Sequence, residues 1–451
     1  MTRARPIVLC LVLALGPVAA FPSSPPPVRT PPAPELPAAV PDFPDPAWIT
    51  VGVEAFDLFE RSFAALPGGR PPRLAEVDGA VLTVVPRAAL EALAEQVRRE
   101  LGHRGGFVLH ASRAAAEERI AKLAARALPR VPVLLPFAID ESEWVDELVG
   151  GVDESRILAT ITSLSTNTPN RRHSSPHGTT AANWIRDLWA SYAAGRPEVT
   201  VELVTHVSTN QPSVVATIPG TVLANQYVIL GGHEDSTASG CGGNPSCSAP
   251  GADDNASGIA TVTEALRVAL VHGFVPRRTV QFMAYAGEEA GLLGSEEIAA
   301  AYAAQGRDVV AVLNLDMTGY HGSTEDITLF TDYTHSELNG FVGSLVDTYL
   351  PDLTRSTDIC GYGCSDHASW TGHGFRASFP FEASFDGSSP YIHGSSDTVA
   401  NLTNGASHAV KFARLAAAFL VETSLDGLDV IFLDPYESGS LGAWDDTVAG
   451  Q

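Results

Sequence analysis

From residue 155 to residue 424 the chain alternates between short apolar runs typical of β-strands and longer stretches with helical periodicity. Strands are predicted over 199–207, 213–218, 226–231, 278–285, 309–315, 327–331 and 375–381. Helices are predicted over 155–164, 179–193, 256–272, 295–305, 335–349 and 407–424. Because strands joined through helices pair mostly in parallel, we expect an α/β fold with a mixed, mostly parallel central sheet and helices on both faces.

Acidic and histidine side chains follow the ends of three predicted strands. They are His233, Glu234 and Asp235 after the strand at 226–231, Glu288 and Glu289 after 278–285, and Asp316 after 309–315. The carboxyl ends of parallel strands meet at one edge of a sheet, and ligands of open α/β sheets bind there. We therefore expect these side chains to lie together.

Two further segments supply groups of the same kind. Asp253 lies in the turn GADDNASG at 251–258, which opens a helix, and a helix N-terminus favours a carboxylate. His393 and Asp397 lie in a loop after the last predicted strand. Each aspartate alone is more typical of a turn or a helix cap, and each histidine of a hydrogen-bonded surface or core residue. Together, two histidines and three carboxylates without a thiolate indicate a divalent metal site with nitrogen and oxygen ligands.

The N-terminus has the layout of a secretory signal peptide. Arg3 and Arg5 precede an apolar run at 6–20 that ends in the small residues Val18-Ala19-Ala20. The run is shorter than the ~20 residues that a membrane-spanning helix needs. We therefore expect residues 1–20 to be a signal peptide and the protein to be secreted.

Cysteine usage agrees with export. Beyond Cys10 in the predicted signal, the cysteines form two close pairs, Cys241/Cys247 and Cys360/Cys364. Four cysteines allow three connectivities, and local pairing is favoured because each pair can close a small loop. The alternatives are free thiols, which an oxidising compartment disfavours, or a zinc site, for which the spacing is wrong.

Composition divides the rest of the chain. Residues 21–46 are a proline-rich linker. Residues 47–146 contain strands at 80–85 and 106–110 and helices at 87–101 and 111–128, which predict a small α/β domain without catalytic residues. Such a domain is either a propeptide or an ordinary accessory domain. Residues 147–425 form the main domain, and 426–451 are a tail of unknown purpose.

The formal net charge of −24 argues against nucleic acid and anionic membranes as partners. The distribution of apolar residues also leaves no later segment suited to spanning a membrane. We expect a monomer, and an acidic cleft would suit metal ions and the amines of peptides.

Six stretches carry a family resemblance. They are GGHEDS (231–236), PGADDNASGIA (250–260), AYAGEEAGLLGS (284–295), NLDMTGY (314–320), CGYGCSDHASW (360–370) and PYIHGSSDT (390–398). They resemble peptidase family M28, in particular the bacterial leucyl aminopeptidases of the co-catalytic zinc type. One stretch can arise by chance, but six in the family's order over most of 150–425 are specific. The resemblance implies a zinc-peptidase fold and removal of N-terminal residues from peptides with a free N-terminus.

The resemblance also implies roles for single residues. Asp253 would bridge two Zn²⁺ ions, for which Co²⁺ or Mn²⁺ could substitute. His233 and Asp316 would complete one metal site, and Glu289 and His393 the other. Glu288 would be the general base. Asp235 and Asp397 would lie on the side of the ligands away from the metal ions and orient them, as metal-bound imidazoles usually require.

The physical chemistry of these groups is consistent with hydrolysis. Two metal ions roughly 3.5–4 Å apart can activate a water and polarise a carbonyl, and a nearby carboxylate can move the proton. Without metal the same acids would repel one another. We therefore expect chelators to abolish activity and to lower the melting temperature.

A hydrophobic pocket for the first side chain is the further implication of the resemblance. Its candidate residues are Tyr362, Phe379, Phe381, Phe385, Tyr391 and Ile392. They would favour leucine-like or aromatic first residues. The alternative for Phe379 and Phe381 is that they share a strand face and only fill the core.

Two features depart from simpler members of the family. The segment 240–247 adds a cysteine loop between two predicted ligands, and Glu234 places an extra carboxylate where an apolar residue is common. The rival functions are a zinc enzyme that cyclises N-terminal glutamine, a carboxypeptidase-like or amidohydrolase relative, and a non-catalytic binding protein on the same scaffold. Retention of Glu288 and Glu289 with all five ligands favours hydrolysis at two metals.

Overall fold

The structure is a computed structural model, and it describes residues 43, 45–63, 70–77, 79–101, 107–126, 135–241, 244 and 246–425. The predicted signal peptide, nearly all of the proline-rich linker and the C-terminal tail lie outside these residues. Within the described part, no helix is both long and apolar enough to cross a membrane.

The N-terminal segment folds around a four-stranded antiparallel sheet with the strand order β2-β3-β1-β4. Its elements are β1 (Pro46–Gly52), α1 (Val53–Phe63), β2 (Ala75–Val77), β3 (Ala80–Pro86), α2 (Leu90–Leu101), β4 (Phe107–His110) and α3 (Arg113–Arg126). The valine-rich strand β3 is central and buried on both faces: Val81 and Val85 pack on the side of α1 and α2, and Leu82 and Val84 on the side of α3. The two predicted strands and two predicted helices are confirmed, and β1, α1 and β2 add to them.

The second segment contains seven long helices and two sheets in the described residues. Its helices are α4 (Ser142–Gly150), α5 (Glu154–Asn167), α6 (Pro176–Tyr192), α7 (Gly258–Val271), α8 (Leu293–Ala304), α9 (Ser336–Tyr349) and α11 (Ser407–Leu425), with the shorter α10 (His367–Gly372). Its strands are β5 (Thr200–Val204), β6 (Ser213–Ile218), β7 (Leu223–His233), β8 (Arg278–Tyr285), β9 (Asp308–Asn314), β10 (Ile327–Phe330), β11 (Arg355–Asp358), β12 (Ala377–Ser378) and β13 (Pro380–Phe381).

The central sheet has six strands in the order β12-β9-β7-β8-β6-β5. Strands β12, β9, β7 and β8 run parallel, and β6 and β5 continue the sheet antiparallel. The predicted mixed, mostly parallel sheet is thus confirmed. Because β7, β8 and β9 are adjacent and parallel, the residues that follow them meet at one edge.

Alternate residues of each strand enter two separate cores, as the period of two requires. On one face Leu230, Phe282 and Leu313 pack with α5, α6, α7, α9 and α11. On the other face Ile229, Met283 and Val312 pack with α8 and α10. Helices therefore cover both faces, and the polar edge at the strand ends is the open side.

The last predicted strand, 375–381, is divided in the structure. Ala377 and Ser378 pair with β9 in the central sheet, whereas Pro380 and Phe381 pair with β10 in a three-stranded sheet of order β11-β10-β13. Both β12 and β13 are edge strands, where proline, which cannot donate a ladder hydrogen bond, is tolerated. The change of sheet turns the chain toward the polar edge.

The N-terminal sheet is packed against that same edge. The main-chain N–H of Leu109 donates to the carbonyl of Gly291 at 3.3 Å, and Arg119 Nη2 donates to the carbonyl of Ala368 at 2.7 Å. At Gly291 (φ +110°) a Cβ would lie 2.8 Å from the Phe107 ring, so the contact requires glycine. The predicted division at 146/147 falls inside α4, whose Val145 and Leu148 pack with the second segment.

Candidate metal centre

Two glycines near the end of β7 allow the last residue of the strand to reach the open edge of the sheet. A Cβ at Gly231 would lie 2.6 Å from the Tyr285 ring, and a Cβ at Gly232 would lie 2.2 Å from the carbonyl oxygen of Leu315. Only glycine permits this close approach of neighbouring strands. The strand can therefore end with His233 fully buried between the loops that follow β8 and β9.

Five side chains converge there as two groups of candidate ligands. His233, Asp254 and Asp316 form one group, and Asp254, Glu289 and His393 form the other. Within each group the ligand atoms lie within 4.8 Å of one another, and every residue is buried. His233 Nε2 is 3.1 Å from Asp254 Oδ1, and His393 Nε2 is 3.1 Å from Asp254 Oδ2. One carboxylate thus faces both imidazoles.

The residue shared by the two groups is Asp254 and not its neighbour Asp253, to which the family resemblance assigns the bridging position. The Asp253 carboxylate turns the other way, and its Oδ1 accepts the N–H of Gly319 at 2.9 Å. The turn Ala252–Ser257 is not regular helix: Asp254 has φ −105° and ψ 91°, and the Asp254–Asn255 peptide bond is cis. A sequence of two adjacent aspartates in an irregular turn cannot reveal which one faces the site.

Asp235 and Asp397 support the candidate ligands in different ways. Asp235 lies 3.3 Å from His233 Nδ1, and its oxygens also accept the N–H groups of Glu288 and Glu289. Asp397 instead accepts the N–H groups of Asp253 and Asp254, at 2.9 and 3.0 Å. Asp235 therefore orients an imidazole, whereas Asp397 holds the turn that carries the shared carboxylate.

Glu288 opens the single turn Glu288–Ala290 beside this centre and is buried. Burial raises the pKa of its carboxyl group well above the usual range, and Glu289 and Asp316 raise it further, while His233 opposes them. A bound cation would act in the opposite sense and favour the ionised carboxylate. Glu288 is thus a carboxyl group whose proton affinity depends strongly on what the centre holds.

The acidic surroundings raise the pKa of both candidate imidazole ligands. Burial alone would lower the pKa of His393, but Glu289 and Asp254 outweigh it and raise the pKa to about 9. Burial is likewise outweighed at His233, whose pKa is raised well above its usual range by Asp316 and Glu288. Metal binding would compete with protonation of these imidazoles, as it does at histidine sites generally.

Three buried acids near the centre have different surroundings. Glu382 accepts the N–H groups of Tyr320 and Ser389, at 2.8 and 3.1 Å. Burial raises the pKa of Asp366 to about 7. Both oxygens of Glu234 are buried without a hydrogen bond from the described residues, and burial, with Asp235, raises the pKa of its carboxyl group. Sequence reasoning missed both Glu382, which directly follows the predicted strand 375–381, and Asp366, which lies in the stretch 360–370 but was given no role there.

A cavity of about 190 Å³ is lined by Ile392, the residue that precedes His393. Five of the six predicted residues line it: Tyr362, Phe379, Phe381, Phe385 and Ile392. Tyr391 is not among the lining residues and packs edge-on against Tyr320, with ring centroids 6.3 Å apart. The lining also includes Phe330, Asp386, Ser388, and Leu101 from helix α2 of the N-terminal segment.

Both predicted disulfides are present, Cys241–Cys247 and Cys360–Cys364. The second one lines the apolar cavity. The Asn170 side chain donates to the carbonyls of Asn244 and Cys247, which fixes the first loop against the start of the segment before α6. The local pairing that the sequence favours is confirmed.

A second cavity of about 220 Å³ reaches the candidate ligand Glu289. Arg172, His173 and Leu293 line it from the second segment, and Leu90 and Phe107 line it from the N-terminal segment. The N-terminal segment therefore borders both cavities beside the centre.

The donor set fits a divalent cation. It offers imidazole nitrogens and carboxylate oxygens without thiolate, as zinc and similar ions accept. Glu289 Oε1 is buried and accepts no hydrogen bond from the described residues, so a carboxylate oxygen faces the centre with no protein donor to satisfy it. An α/β sheet with such a centre at its carboxyl edge, beside a buried carboxyl group, is typical of metal-dependent hydrolases.

Comparison with known proteins narrows this class. Residues 213–418 match peptidase family M28. A probable aminopeptidase of Saccharomyces cerevisiae is 36% identical over 307 residues, which cover 65% of this chain and 79% of the relative. A probable leucine aminopeptidase of Arthroderma benhamiae is 36% identical over 303 residues, covering 65% and 78%. The chain belongs to peptidase family M28.

Solved structures of aminopeptidases are also similar to this chain. The LapA aminopeptidase of Legionella pneumophila is 28% identical, with a TM-score of 0.68, over 84% of this chain and 99% of its own. The aminopeptidase of Aneurinibacillus sp. strain AM-1 shares the fold at 17% identity, with a TM-score of 0.51, over 63% of this chain and 97% of its own. The LapA match covers more residues of this chain than the stretch from residue 135 to residue 451 contains. It therefore includes part of the N-terminal segment.

The adjacent aspartates provide a test of the geometry. We expect Asp254→Asn to weaken metal binding by more than about 100-fold, because residues that only orient a ligand typically cost roughly 10–100-fold. Asp253→Asn retains an oxygen for the Gly319 N–H, and we expect it to bind metal as the wild type does. Metal content after equilibrium dialysis, measured by atomic emission, distinguishes the two. If Asp253→Asn weakened metal binding and Asp254→Asn did not, Asp253 would be the shared ligand instead.

Proposed function

We propose that this protein is a secreted, di-zinc aminopeptidase that hydrolyses the N-terminal peptide bond of peptides. Membership of family M28 and relatives named as aminopeptidases support the reaction. Two disulfides and the predicted signal peptide support export. The observation that carries the proposal is the pair of three-residue donor groups that share Asp254, with Glu288 adjacent.

Each group of the centre has a distinct task. Zinc held by His233 and Asp316, by Glu289 and His393, and by Asp254 between them would supply Lewis-acid activation of a water and of the scissile carbonyl. Asp235 and Asp397 keep the ligand-bearing turns in place through the main-chain hydrogen bonds described above. Their contribution is to fix the ligands before substrate arrives, which avoids reorganisation during the reaction.

Glu288 is the proton carrier in this proposal. Its carboxylate would take a proton from the attacking water and return it to the amine of the leaving peptide, as general acid–base catalysis requires. It begins the turn whose next residue, Glu289, is a candidate ligand, so its position is tied to the centre through the backbone. The N–H of Glu288 is held by Asp235 at 3.0 Å.

We expect Glu288→Gln to retain two zinc ions and the fold but to lose about 10²–10⁴-fold in kcat, because the amide cannot accept the proton. Glu289→Gln is the matched contrast and should lose metal at one position. Zinc content and hydrolysis of leucine p-nitroanilide are measured on both. A wild-type protein with one zinc ion per chain, or Glu288→Gln with full turnover, would contradict the proposal.

The apolar cavity would hold the side chain of the first residue. Phe330, Phe379 and Phe381 form its wall, with ring centroids 4.8 to 5.6 Å apart. Such a site recognises size and apolar surface rather than charge. Its size and lining favour leucine-like and aromatic residues, in line with relatives named as probable leucine aminopeptidases.

The small residue Ser388 in the cavity lining allows a direct test. Ser388→Phe would fill part of the space, and we expect kcat/KM for leucine and phenylalanine p-nitroanilides to fall about tenfold or more. Alanine p-nitroanilide is the internal control and should change little, because its methyl group needs less room. Equal losses for all three substrates, or lysine and glutamate as the best wild-type substrates, would argue against this pocket.

We further propose that the N-terminal segment is a propeptide that keeps the full chain latent. Leu101 of α2 lines the apolar cavity, and Leu90 and Phe107 line the second cavity beside Glu289. A peptide substrate would need both spaces, one for its first side chain and one for the chain that follows. The alternative, an accessory domain, predicts no gain of activity when these contacts are broken.

Leu101→Asp tests latency in the full chain. A carboxylate in an apolar cavity costs free energy, so we expect the N-terminal segment to withdraw and kcat/KM for leucine p-nitroanilide to rise severalfold. Ala92→Asp, at an exposed position of the same helix, is the matched control and should leave kcat/KM unchanged. Near-UV circular dichroism checks that the N-terminal sheet remains folded. An unchanged rate for Leu101→Asp would favour the accessory domain.

A further inference from the structure

A buried arginine lies beneath the turns that carry two of the candidate ligands. Arg171 belongs to the segment between α5 and α6, and its side chain has no exposed surface. Burying a guanidinium group is costly unless its donors are satisfied. The groups that accept its hydrogen bonds therefore indicate the role of the Arg171 side chain.

The guanidinium of Arg171 joins three stretches of main chain. Nε donates to the carbonyl of Glu234 at 2.9 Å, and Nη2 donates to the carbonyl of Gly251 at 2.8 Å. Nη1 donates to the carbonyls of Pro250 and Leu164, at 2.5 and 3.2 Å. Glu234 directly follows the ligand His233, and Gly251 begins the turn that presents Asp254. One side chain thus links the two turns whose ligands must meet.

The backbone of Arg171 reinforces this link. Its N–H donates to Ser236 Oγ at 3.0 Å, and Ser236 Oγ in turn donates to the carbonyl of Ala249 at 2.7 Å. Gly251 has φ +51°, and a Cβ there would lie 2.6 Å from the Ser236 Cβ and 2.8 Å from Arg171 Nη2. The turns are therefore held at a spacing that leaves no room for a larger residue.

The charge of Arg171 has a second consequence. Its hydrogen bonds go to carbonyls, while the carboxylates of Asp397, Asp235 and Asp254 act on it through the field alone. Burial lowers the pKa of Arg171 to about 10 against the opposing effect of these acids, so the cation persists at neutral pH. It partly offsets the mutual repulsion of the acids around the centre.

We propose that Arg171 is a positioning residue of the metal centre, which holds the 233–236 and 249–254 turns at the spacing that lets His233 and Asp254 share one ion. The inference rests on the proposed metal-dependent function. It requires arginine, because the planar fork reaches four carbonyls at once and a lysine ammonium cannot reproduce that geometry. Arg171 touches neither substrate nor metal in this assignment.

Arg278 provides a matched comparison within the same chain. It is also buried, and its Nη1 and Nη2 donate to the carbonyls of Thr423 and Pro136, each at 2.8 Å. It begins β8, at the opposite edge of the sheet from the candidate ligands. Loss of Arg278 should therefore affect the fold without acting on the centre.

The experiment compares Arg171→Met, Arg171→Lys and Arg278→Met in the full chain. Each protein is stripped with chelator and titrated with Zn²⁺, and the dissociation constants, the rise in Tm on zinc addition and the kcat and KM for leucine p-nitroanilide are measured. We expect Arg278→Met to lower Tm equally with and without zinc and to retain wild-type zinc affinity. We expect Arg171→Met to bind zinc about 10–100-fold more weakly and to show a smaller zinc-dependent rise in Tm. For Arg171→Lys, the logarithm of the zinc dissociation constant should return toward the wild-type value by less than half of the change measured for Arg171→Met.

At saturating zinc we expect Arg171→Met to lower kcat with KM changed less than twofold. Wild-type zinc affinity in Arg171→Met, or full recovery in Arg171→Lys, would overturn the inference. Failure of both Arg171 variants to fold while Arg278→Met folds would also overturn it, since Arg171 would then serve the fold alone. A wild-type protein that binds no zinc would instead refute the proposed function, and this inference with it.

Discussion

The carboxylate of Asp254 is the constraint around which the centre is arranged. It faces His233 on one side and His393 on the other, at 3.1 Å in each case. These residues come from separate loops at the edge of one sheet, so a small shift of any loop would break the convergence. The glycines at 231 and 232, the division of the last strand at Pro380 and the irregular turn at 252–257 all serve this one arrangement.

Gathering so many acids in a buried place is unfavourable by itself, and the structure shows how the cost is offset. Main-chain N–H groups solvate Asp235, Asp397 and Glu382, which stabilises a carboxylate without adding a mobile charge. Arg171 adds a fixed cation. The acids in turn raise the pKa of the candidate imidazole ligands His233 and His393, so metal binding would compete with protonation there.

The same open edge also explains the position of the N-terminal segment. In an α/β sheet covered on both faces, the carboxyl edge is the accessible surface where ligands bind. The N-terminal sheet is anchored there through Leu109 and Arg119, and its α2 helix ends at the apolar cavity. In the proposed function substrate binds at this same edge, so substrate and the N-terminal segment would compete for one surface.

The order of strands and helices, the two local disulfides and four of the five candidate ligands follow from the sequence, because strand periodicity and residues just past strand ends are local properties. The shared carboxylate does not follow, since the choice between Asp253 and Asp254 depends on the backbone angles of a turn that tertiary contacts impose. The same holds for Phe330 and Leu101 in the cavity wall and for Arg171 beneath the turns, each brought in from a distant part of the chain. Sequence alone determined which chemistry is present at the sheet edge; only the packed fold decided which side chains face one another, because those distances depend on contacts far apart in the chain.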